Sequence, residues 1–409
     1  MSFQQGLSGL NAASKNLEVI GNNVANAGTV GFKQSQAQFA DVYASSLTGS
    51  GTSQVGIGTK VSQVTQQFTQ GNITSSNNPL DLAINGGGFF RLSHNGTISY
   101  SRNGQFQLDK SGFIVNANGL HLTGYSVNAS GVLSTGAPTD VYINTSDLAP
   151  KVTAKVGAVL NLDSGSTAPV LPFDTTDPTT FNNSTSVSVY DSLGNSHTLQ
   201  TYYVKTAANT WNVYATNDGV PIGYTPPAAA VPVGSVTFNS SGVLTGGSPI
   251  SVAVPVTTGA GTPFTVTVDY TGTTQYGSAF SVNSLSQDGY ASGKLNGFNT
   301  AADGSIVGRY TNGQSKTLGQ IVLASFSNPN GLQPLGDNVW TDTAASGAAL
   351  VSTPGSGPLG VLQSSATEDS NVDLTAELVN MITAQRNYQA NAQTIKTQDQ
   401  VMQTLVNLR

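Results

Sequence analysis

The sequence contains no cysteine and unusually few charged residues. Of its 409 residues none is Cys, and 9% are Asp, Glu, Lys or Arg, whereas a typical globular chain has about 25%. The missing cysteine excludes disulfide scaffolds, thiolate zinc sites and cysteine nucleophiles. Solubility must come from Ser, Thr, Asn and Gln. Such a composition is typical of bacterial surface proteins, in which a stray thiol is an oxidation liability.

Basic side chains and long apolar runs are also scarce. The 15 Lys and Arg residues are scattered among 21 Asp and Glu, which gives a net charge of −6, so we expect no nucleic-acid partner. No stretch approaches the roughly 18 apolar residues of a membrane span, so we expect no membrane insertion. The first residues lack the basic region of a secretory signal, and amphipathic residues follow them. The composition therefore indicates an extracellular protein without a cleaved signal peptide.

The residues that acid-base or metal chemistry requires are poorly represented. Only three Glu occur, all in or next to the terminal segments, and most Asp residues lie in turn contexts. The three histidines, His94, His121 and His197, are isolated in the sequence, without a carboxylate at metal-ligand spacing. A G-x-G-x-x-G match at 355–360 is interrupted by Pro358 and is interpreted as a loop. We therefore predict no enzymatic activity, catalytic residue, metal or cofactor.

Proline and glycine are absent from the end of the chain. All 17 prolines lie within 79–358, and neither Gly nor Pro occurs after Gly360. In a chain with 46 glycines, this absence predicts a continuous helix over 371–408, about 50 Å long. Ser370, three residues before Asp373, is the predicted N-cap of this helix.

The N-terminal segment is the counterpart of this helix. We predict a helix over 2–27 that ends near Asn26-Ala27-Gly28, where a residue that tolerates the left-handed conformation belongs. In both segments apolar residues recur every seven positions, with a second row beside the first. In the N-terminal helix the seam residues are Phe3, Leu7, Leu10, Leu17, Ile20 and Val24. In the C-terminal helix they are Leu374, Leu378, Met381, Tyr388, Ala392, Ile395, Met402 and Val406.

Two interpretations explain an apolar seam at each end of one chain. The helices could form an antiparallel pair that closes one globular domain, or they could bundle with each other and with neighbouring copies. Length favours assembly, because a helix of about 50 Å overhangs any domain that it could cap. We therefore predict that 1–30 and 365–409 form a helical polymerisation domain.

The middle of the chain has β character. Short runs of Val, Ile, Phe, Tyr and Thr alternate with Asn-Gly and Asp-Gly pairs, such as Asn95-Gly96 and Asp218-Gly219, which suit hairpin turns. These pairs are frequent before residue 120 and after residue 287, and only one lies between. The distribution predicts two β domains, one inserted into the other. The predicted parts are a linking segment 31–71, an inner β domain of 72–146 and 285–358, and an inserted outer β domain 147–284.

Taken together, these patterns predict a multidomain α+β fold. The long terminal helices form a coiled coil, and the two mainly β domains lie between them in the sequence. Trp211 and Trp340 are predicted core residues of the two β domains. Arg91 and Arg102, on adjacent predicted strands, pair with Asp109 or meet a neighbouring subunit, and the sequence leaves both options open.

Several stretches carry a family resemblance. Residues 8–13, 17–26 and 31–33 look like the N-terminal signature of the axial proteins of the bacterial flagellum, the rod and hook family. The matching motif residues there are Asn22, Asn23, Asn26, Gly31, Phe32 and Lys33. The stretches 370–374, 377–382 and 385–388 resemble the closing helix of the same family. The β region resembles it at 88–92, 100–106, 122–125 and 336–340.

The long middle segment narrows the resemblance to one branch. Rod members resemble both ends but lack a segment such as 147–284, whereas this segment, with Val189–Asn195, is similar to that of hook proteins. The resemblance implies a structural subunit, exported by the flagellar type III apparatus, that polymerises into a curved, flexible tube with a central channel. That tube acts as a universal joint between rod and filament. Implied partners are further copies of the chain, the distal rod protein, the hook cap protein and the hook-filament junction protein, and the implied location is the extracellular hook.

Two alternatives stay open at this point. A distal rod or hook-filament junction protein would share both ends with this chain. An extracellular adhesin or glycan-binding surface protein would share the β composition, although it would not need heptad helices at both termini.

Overall fold

The computed structural model describes residues 2–42, 56–128, 131–223 and 230–407. It contains a helix at each end of the chain and many strands in several sheets between them, which confirms the multidomain α+β class. Contacts divide the chain into two compact units. Unit 1 comprises Met1–Thr145, Gly297–Arg309 and Ser315–Arg409, and unit 2 comprises Ser146–Asn296 and Tyr310–Gln314.

The two helices begin and end close to their predicted bounds. Helix α1 spans Ser2–Ala25 and helix α2 spans Leu374–Asn407. The predicted position of the left-handed residue was wrong, because the positive φ (+72°) belongs to Gly31 and not to Gly28. A side chain at Gly31 would meet the backbone of Asn103 at 2.5 Å, so this glycine serves a close approach of two chain segments and not the helix end itself.

The cap of α2 also differs from the prediction. The Asp373 carboxylate accepts the backbone N–H groups of Thr375 and Ala376 at 2.9 and 3.1 Å, so Asp373 is the capping residue. Ser370 instead accepts the N–H of Val372 at 3.2 Å, one turn too early. An Asp at this position also places negative charge at the positive end of the helix dipole.

The strands are numbered in chain order. The first ten are β1 Ser35–Val42, β2 Gly58–Gln66, β3 Ile73–Ser75, β4 Leu82–Asn85, β5 Phe89–His94, β6 Thr97–Ser101, β7 Gln107–Leu108, β8 Ile114–Val115, β9 His121–Ser126 and β10 Thr139–Asp140. The next ten are β11 Lys155–Asn161, β12 Asn183–Tyr190, β13 Ser196–Ala207, β14 Thr210–Asn217, β15 Val220–Pro221, β16 Gly234–Phe238, β17 Leu244–Gly246, β18 Ile250–Val254, β19 Phe264–Asp269 and β20 Ser281–Gln287. The remainder are β21 Leu295–Thr300, β22 Ser305–Tyr310, β23 Ser315–Ile321, β24 Leu323–Ser325, β25 Gln333–Gly336, β26 Val339–Thr341, β27 Leu350–Ser352, β28 Val361–Ser364 and β29 Ala366–Glu368.

The sheets of unit 1 bring early and late parts of the chain together. The main sheet runs in the order β21-β22-β23-β9-β5-β6-β26-β25, and the hairpin β1-β2 forms a separate antiparallel pair. Strands β28 and β29, just before α2, pair with β4 and β3. Trp340 is buried in an aromatic cluster with Phe68 and Phe89, and its indole N–H donates to Gln66 at 2.6 Å. The prediction of Trp340 as a core residue is confirmed.

Unit 2 has two sheets around one core. Their strand orders are β18-β19-β11-β20 and β12-β13-β14-β16-β17. Trp211 is fully buried in this core with Tyr203 and Tyr270, and its indole N–H donates to Gln275 at 2.9 Å. Trp211 is therefore a core residue, as predicted. Asp218-Gly219, between β14 and β15, has both φ values positive, as the sequence predicted for a tight hairpin turn.

Candidate assembly site at the joined chain ends

The two terminal helices lie against each other in antiparallel directions. A side chain at Gly6 would meet Ile395 at 3.1 Å, and one at Gly9 would meet the Asn391 amide at 2.7 Å. As the residue number increases along α1, the residue number of the facing position on α2 decreases. The glycines allow the two backbones to approach closely, since a Cβ would not fit there without displacing the neighbouring side chain.

The hairpin β1-β2 packs on α1 and is fastened to it by side-chain hydrogen bonds. The buried Asn23 amide donates to the Ser35 carbonyl at 2.8 Å and accepts the Ser35 N–H at 2.9 Å. Gln5 donates to the Gly56 carbonyl at 2.6 Å, and the Ser8 hydroxyl accepts the Thr59 N–H at 3.3 Å. The described part of the 31–71 segment therefore includes a strand pair that lines α1.

The other N-terminal motif residues shape the turn after α1. The Asn26 side-chain amide donates to the Asn22 carbonyl at 2.9 Å, and this carbonyl also accepts the backbone N–H of Asn26 at 3.1 Å, so both bonds hold the last turn of α1. Phe32 is buried, and the Gly31 N–H donates to the Glu368 carbonyl at 2.8 Å. The motif thus joins the exit from α1 to the strand that leads toward α2.

Lys33 belongs to a buried ionic cluster centred on Glu368. The Glu368 carboxylate lies 2.6 Å from the Lys33 ammonium and 3.0 Å from the Arg102 guanidinium, and the side chains of Lys33 and Glu368 are fully buried. The Gly71 N–H also donates to Glu368, at 3.0 Å, and Arg102 lies over the Phe89 ring. The cluster therefore connects the exit from α1, the end of β6 and the entry to α2.

Burial and charge oppose each other in this cluster. Burial lowers the pKa of Lys33, and the nearby Glu368 carboxylate only partly offsets this effect. The pKa of Arg102 is lowered for the same reason, while a guanidinium stays charged in proteins. Such a cluster fixes a geometry more than it adds stability, because desolvation consumes much of the Coulomb attraction. Removing one partner leaves a buried charge uncompensated and is strongly destabilising.

Sequence reasoning left the partner of Arg102 open and did not identify the cluster. Asp109 is not that partner, since its carboxylate accepts the N–H groups of Ser111 and Phe113 in its own turn. The available signal was Glu368, one of only three Glu in the chain. Its partners are separated from it by 266 and 335 positions, so no local pattern could connect them.

The predicted seam residues divide into three groups in the structure. Ile20 is buried and Ile395 is partly buried beside α1, so these two lie within the helix pair. The residues that are only partly buried are Leu10, Leu17, Val24, Met381 and Ala392. The exposed ones are Phe3, Leu7, Leu374, Leu378, Tyr388, Met402 and Val406. Much of the apolar seam therefore faces away from the helix pair of a single chain.

The histidines are isolated in the sequence, yet two of them have carboxylate partners in the fold. The His121 ring lies 2.9 Å from the Asp140 carboxylate, and His197 in unit 2 has two such partners. Its ring nitrogens lie 2.7 Å from the Asp218 carboxylate and 3.3 Å from the Asp191 carboxylate. Burial alone lowers the pKa of His197, but its hydrogen bonds to Asp218 and Asp191 outweigh that effect and raise the pKa above its ordinary value. Asp191 also accepts hydrogen bonds from Thr258 and Asn195. The His197 ring and the Asp191 carboxylate are buried in this network, whereas the Asp218 side chain is 50% exposed.

The described residues offer neither a membrane-spanning helix nor a metal site. Neither described helix has the length and apolar character needed to cross a membrane. The described ranges also contain no group of three or more His, Asp or Glu residues arranged to hold a metal ion.

Profiles of flagellar families match most of the chain. They are "Flagella basal body rod protein" at residues 3–33, "Flagellar hook protein FlgE/F/G D1 domain" at 83–155, "Flagellar basal body protein FlaE D2 domain" at 161–290 and "Flagellar basal body rod FlgEFG protein C-terminal" at 363–408. Flagellar hook protein FlgE of Salmonella typhimurium is 45% identical over 414 residues and covers both chains completely. The chain belongs to the flagellar hook protein family.

Further relatives agree with this assignment. Flagellar hook protein FlgE of Escherichia coli is also 45% identical, over 417 residues and the full length of both chains. The crystal structure of Helicobacter pylori flagellar hook protein FlgE2 is 14% identical, has a TM-score of 0.52, and covers 71% of this chain and 99% of that one, which shows a shared fold. The chain is accordingly a structural subunit of the flagellar hook. Its family is structural and is not known for an enzymatic activity.

Proposed function

We propose that this chain self-assembles into the curved, flexible tube of the hook, which transmits motor torque as a universal joint between rod and filament. Helices α1 and α2 form an antiparallel coiled coil in the inner wall of this tube, around a central export channel. The inner β domain surrounds this wall, and the domain inserted into it is outermost. The observation that carries the proposal is the set of apolar side chains on α2 that one chain leaves exposed.

The burial along α2 supports assembly over a closed helix pair. Of its described side chains only Glu377 and Ala384 are buried, while Val379, Met402 and Val406 are 59%, 60% and 71% exposed. Exposing apolar surface costs about 25 cal/mol per Å², so a row of such side chains is typical of a binding surface. Neighbouring copies can cover it, and the seven-residue spacing fits helix-on-helix packing.

The remaining faces of the helices suit a channel. Gln, Asn, Thr and Ser predominate on them, and charges are rare. A neutral polar lining allows an unfolded chain to pass without strong electrostatic binding. On the outer surface the low charge allows neighbouring copies to move past each other. Contacts without ion pairs can slide and re-form while the tube bends.

The proposed position of the chain, in a tube between rod and filament, indicates its partners. We propose further copies of the chain, the distal rod protein, the hook cap protein and the hook-filament junction protein as partners. We also propose that the chain is exported by the type III apparatus and resides in the extracellular hook. The absence of cysteine is compatible with passage through a narrow channel as an extended chain.

Hydrogen exchange of the full chain, as monomer and as polymer, tests this function. Protection should rise strongly on assembly in 2–25 and 374–407, because neighbouring copies cover the exposed seam. Peptides from the core of unit 2, around Trp211, should exchange equally in both states and serve as the internal control. Equal protection of the terminal helices in monomer and polymer would overturn the proposal.

A further inference from the structure

The helix pair and the hairpin enclose a groove of about 620 Å³. Its walls come from α1, β1 and α2, and they include Ile20, Asn23, Phe39, Glu377 and Ala384. Asn380, Thr383 and Asn387 follow the α2 side of the groove. The groove is thus lined mainly by amides and hydroxyls, together with a few apolar side chains and one acid, and it opens beside the assembly helices.

Glu377 is the unusual residue of this groove. It is 3% exposed, and one of its carboxylate oxygens accepts the amide N–H of Gln34. Within the described ranges its second oxygen has no hydrogen-bond partner. A buried carboxylate oxygen without a donor is costly, so the groove lacks a cationic or N–H group that would complete it. The terminal torsion of Glu is broad, and a small rotation turns the free oxygen toward an occupant.

A group with the required charge lies on the opposite face of the same helix. Arg386 follows Glu377 by nine residues, which is about two and a half helical turns and places it on the far side of α2. Arg386 is exposed and has no ion pair to any described residue. Val379 and Ile382, 59% and 52% exposed, lie on this same face. We call the set Val379, Ile382 and Arg386 the outer strip.

We propose that the outer strip of one copy occupies the groove of the next copy, with the Arg386 guanidinium bound to the Glu377 carboxylate. The inference rests on the proposed function and specifies a contact within the polymer. Two different surfaces meet in it, so the contact does not close on itself and propagates into an open helical array. The planar guanidinium can bond both carboxylate oxygens, while the two apolar side chains pack on the groove walls.

The proposal also fixes a register between neighbouring helices. Copies in a tube are related by rotation and translation about its axis, so adjacent α2 helices run in the same direction. If Arg386 of one copy is level with Glu377 of the next, the stagger is nine residues, or about 14 Å. Gln389 of the first copy is then level with Asn380 of the second.

A double-mutant cycle on the full-length chain tests the ion pair. Glu377→Gln and Arg386→Gln should each raise the critical concentration for polymerisation about tenfold, and the double variant should raise it no further than a single one. Lys396→Gln removes another exposed cation of α2 and is the matched control, with an expected change below about twofold. A double variant near the product of the two singles, or an Arg386→Gln effect no larger than the control, overturns the contact.

Disulfide trapping provides a second test that does not depend on removing either partner. Since the chain has no cysteine, Asn380→Cys and Gln389→Cys can be made as separate chains and mixed. The mixture should form covalent dimers in the polymer and not in dilute monomer, because a disulfide requires Cα atoms within about 7 Å. Asn380→Cys mixed with Gln400→Cys is the control and should not cross-link. If the control pair cross-links as well as the test pair, this register is wrong, whereas a wild-type chain that fails to polymerise contradicts the proposed function instead.

Discussion

Unit 2 and the terminal helix pair differ in how far they bury their apolar side chains. In unit 2 two sheets enclose Trp211, Tyr203, Tyr270 and many aliphatic side chains in one core. In α2, a helix of 34 residues, most apolar side chains stay exposed. A closed core stabilises a single chain, whereas an open apolar face gains its stability only when another surface covers it. The difference indicates which part of the subunit is built for assembly.

The buried cluster around Glu368 connects the open helix pair to the strands of unit 1, and its loss should have the largest effect. Glu368→Gln removes the charge that compensates Lys33 and Arg102, and should lower the free energy of unfolding by about 3–5 kcal/mol. Glu18→Gln is the matched control, because Glu18 pairs with Lys15 at an exposed site, where ion pairs contribute about 0–1 kcal/mol. Denaturant unfolding of both variants measures the difference. If the two variants lose equal free energy of unfolding, the buried cluster around Glu368 stabilises the fold no more than an exposed ion pair does.

A charge introduced into the exposed seam should weaken polymerisation and leave the stability of the monomer unchanged. The Leu378 side chain is 45% exposed in one chain and buried in the proposed polymer. Leu378→Asp therefore places a carboxylate inside the proposed interface. We expect the critical concentration for polymerisation to rise about 100-fold, since an unpaired charge would be buried in the interface.

Gln385→Asp introduces the same charge on an exposed polar residue of α2 and serves as the control. Sedimentation measures polymer formation, and hydrogen exchange in unit 2 checks that the closed core is intact. If both variants polymerise equally, the exposed seam does not mediate assembly.

The close approach of the two helices can be tested with their glycines. Gly9→Val should destabilise the helix pair by about 1–3 kcal/mol, because the added side chain meets the Asn391 amide and overpacks the contact. Gly21→Ala is the control, since a Cβ there meets no atom within 4 Å and the change favours helix by about 0.5–1 kcal/mol. Gly9→Val should lower both the helical circular dichroism signal and the hydrogen-exchange protection of 2–25, whereas Gly21→Ala should raise both. A stabilising Gly9→Val would contradict the antiparallel contact described here.

Sequence reasoning predicted the existence and type of the elements better than their ends, where the left-handed residue after α1 and the cap of α2 were wrong, and it did not predict the long-range contacts. The Gly- and Pro-free end predicted α2, the indole residues predicted the two β cores, and the paired turn residues predicted the positive φ values at Asp218-Gly219. The helix and the turn depend on neighbours in the sequence, and the burial of the indoles follows from the residue type itself. The Glu368 cluster could not be predicted, because it forms only after the two ends of the chain meet.

The seam shows a further limit of sequence reasoning. Its seven-residue spacing predicts a buried row, yet it does not say which surface covers each position. In the structure Gly6 and Gly9 of α1 face α2, and larger seam residues such as Phe3 and Leu378 stay exposed. The glycines permit the close approach of the two helices, Ile20 and Ile395 also lie within the pair, and the exposed larger residues remain available for other contacts.

The closed unit should show a pH dependence that the open helices lack. The hydrogen bonds to Asp218 and Asp191 raise the folded-state pKa of His197 above its unfolded value of about 6.5. The stabilisation is therefore complete below the unfolded pKa and is lost as pH rises through the folded pKa. As pH rises from the unfolded pKa of about 6.5 through the folded pKa, hydrogen exchange of peptides around 191–218 should quicken beyond the intrinsic base catalysis of exchange. The segment 374–407 contains no histidine and should show no such excess.

His197→Gln should remove this excess, because a neutral amide does not titrate. His94→Gln is the matched control: His94 is exposed and its ring contacts Asn95 and no carboxylate among the described residues, so the variant should keep the wild-type profile. A pH dependence that survives His197→Gln would assign the effect to another group. Its disappearance would show that unit 2 holds its stability in an internal network, independent of the contacts between copies on which the terminal helices depend.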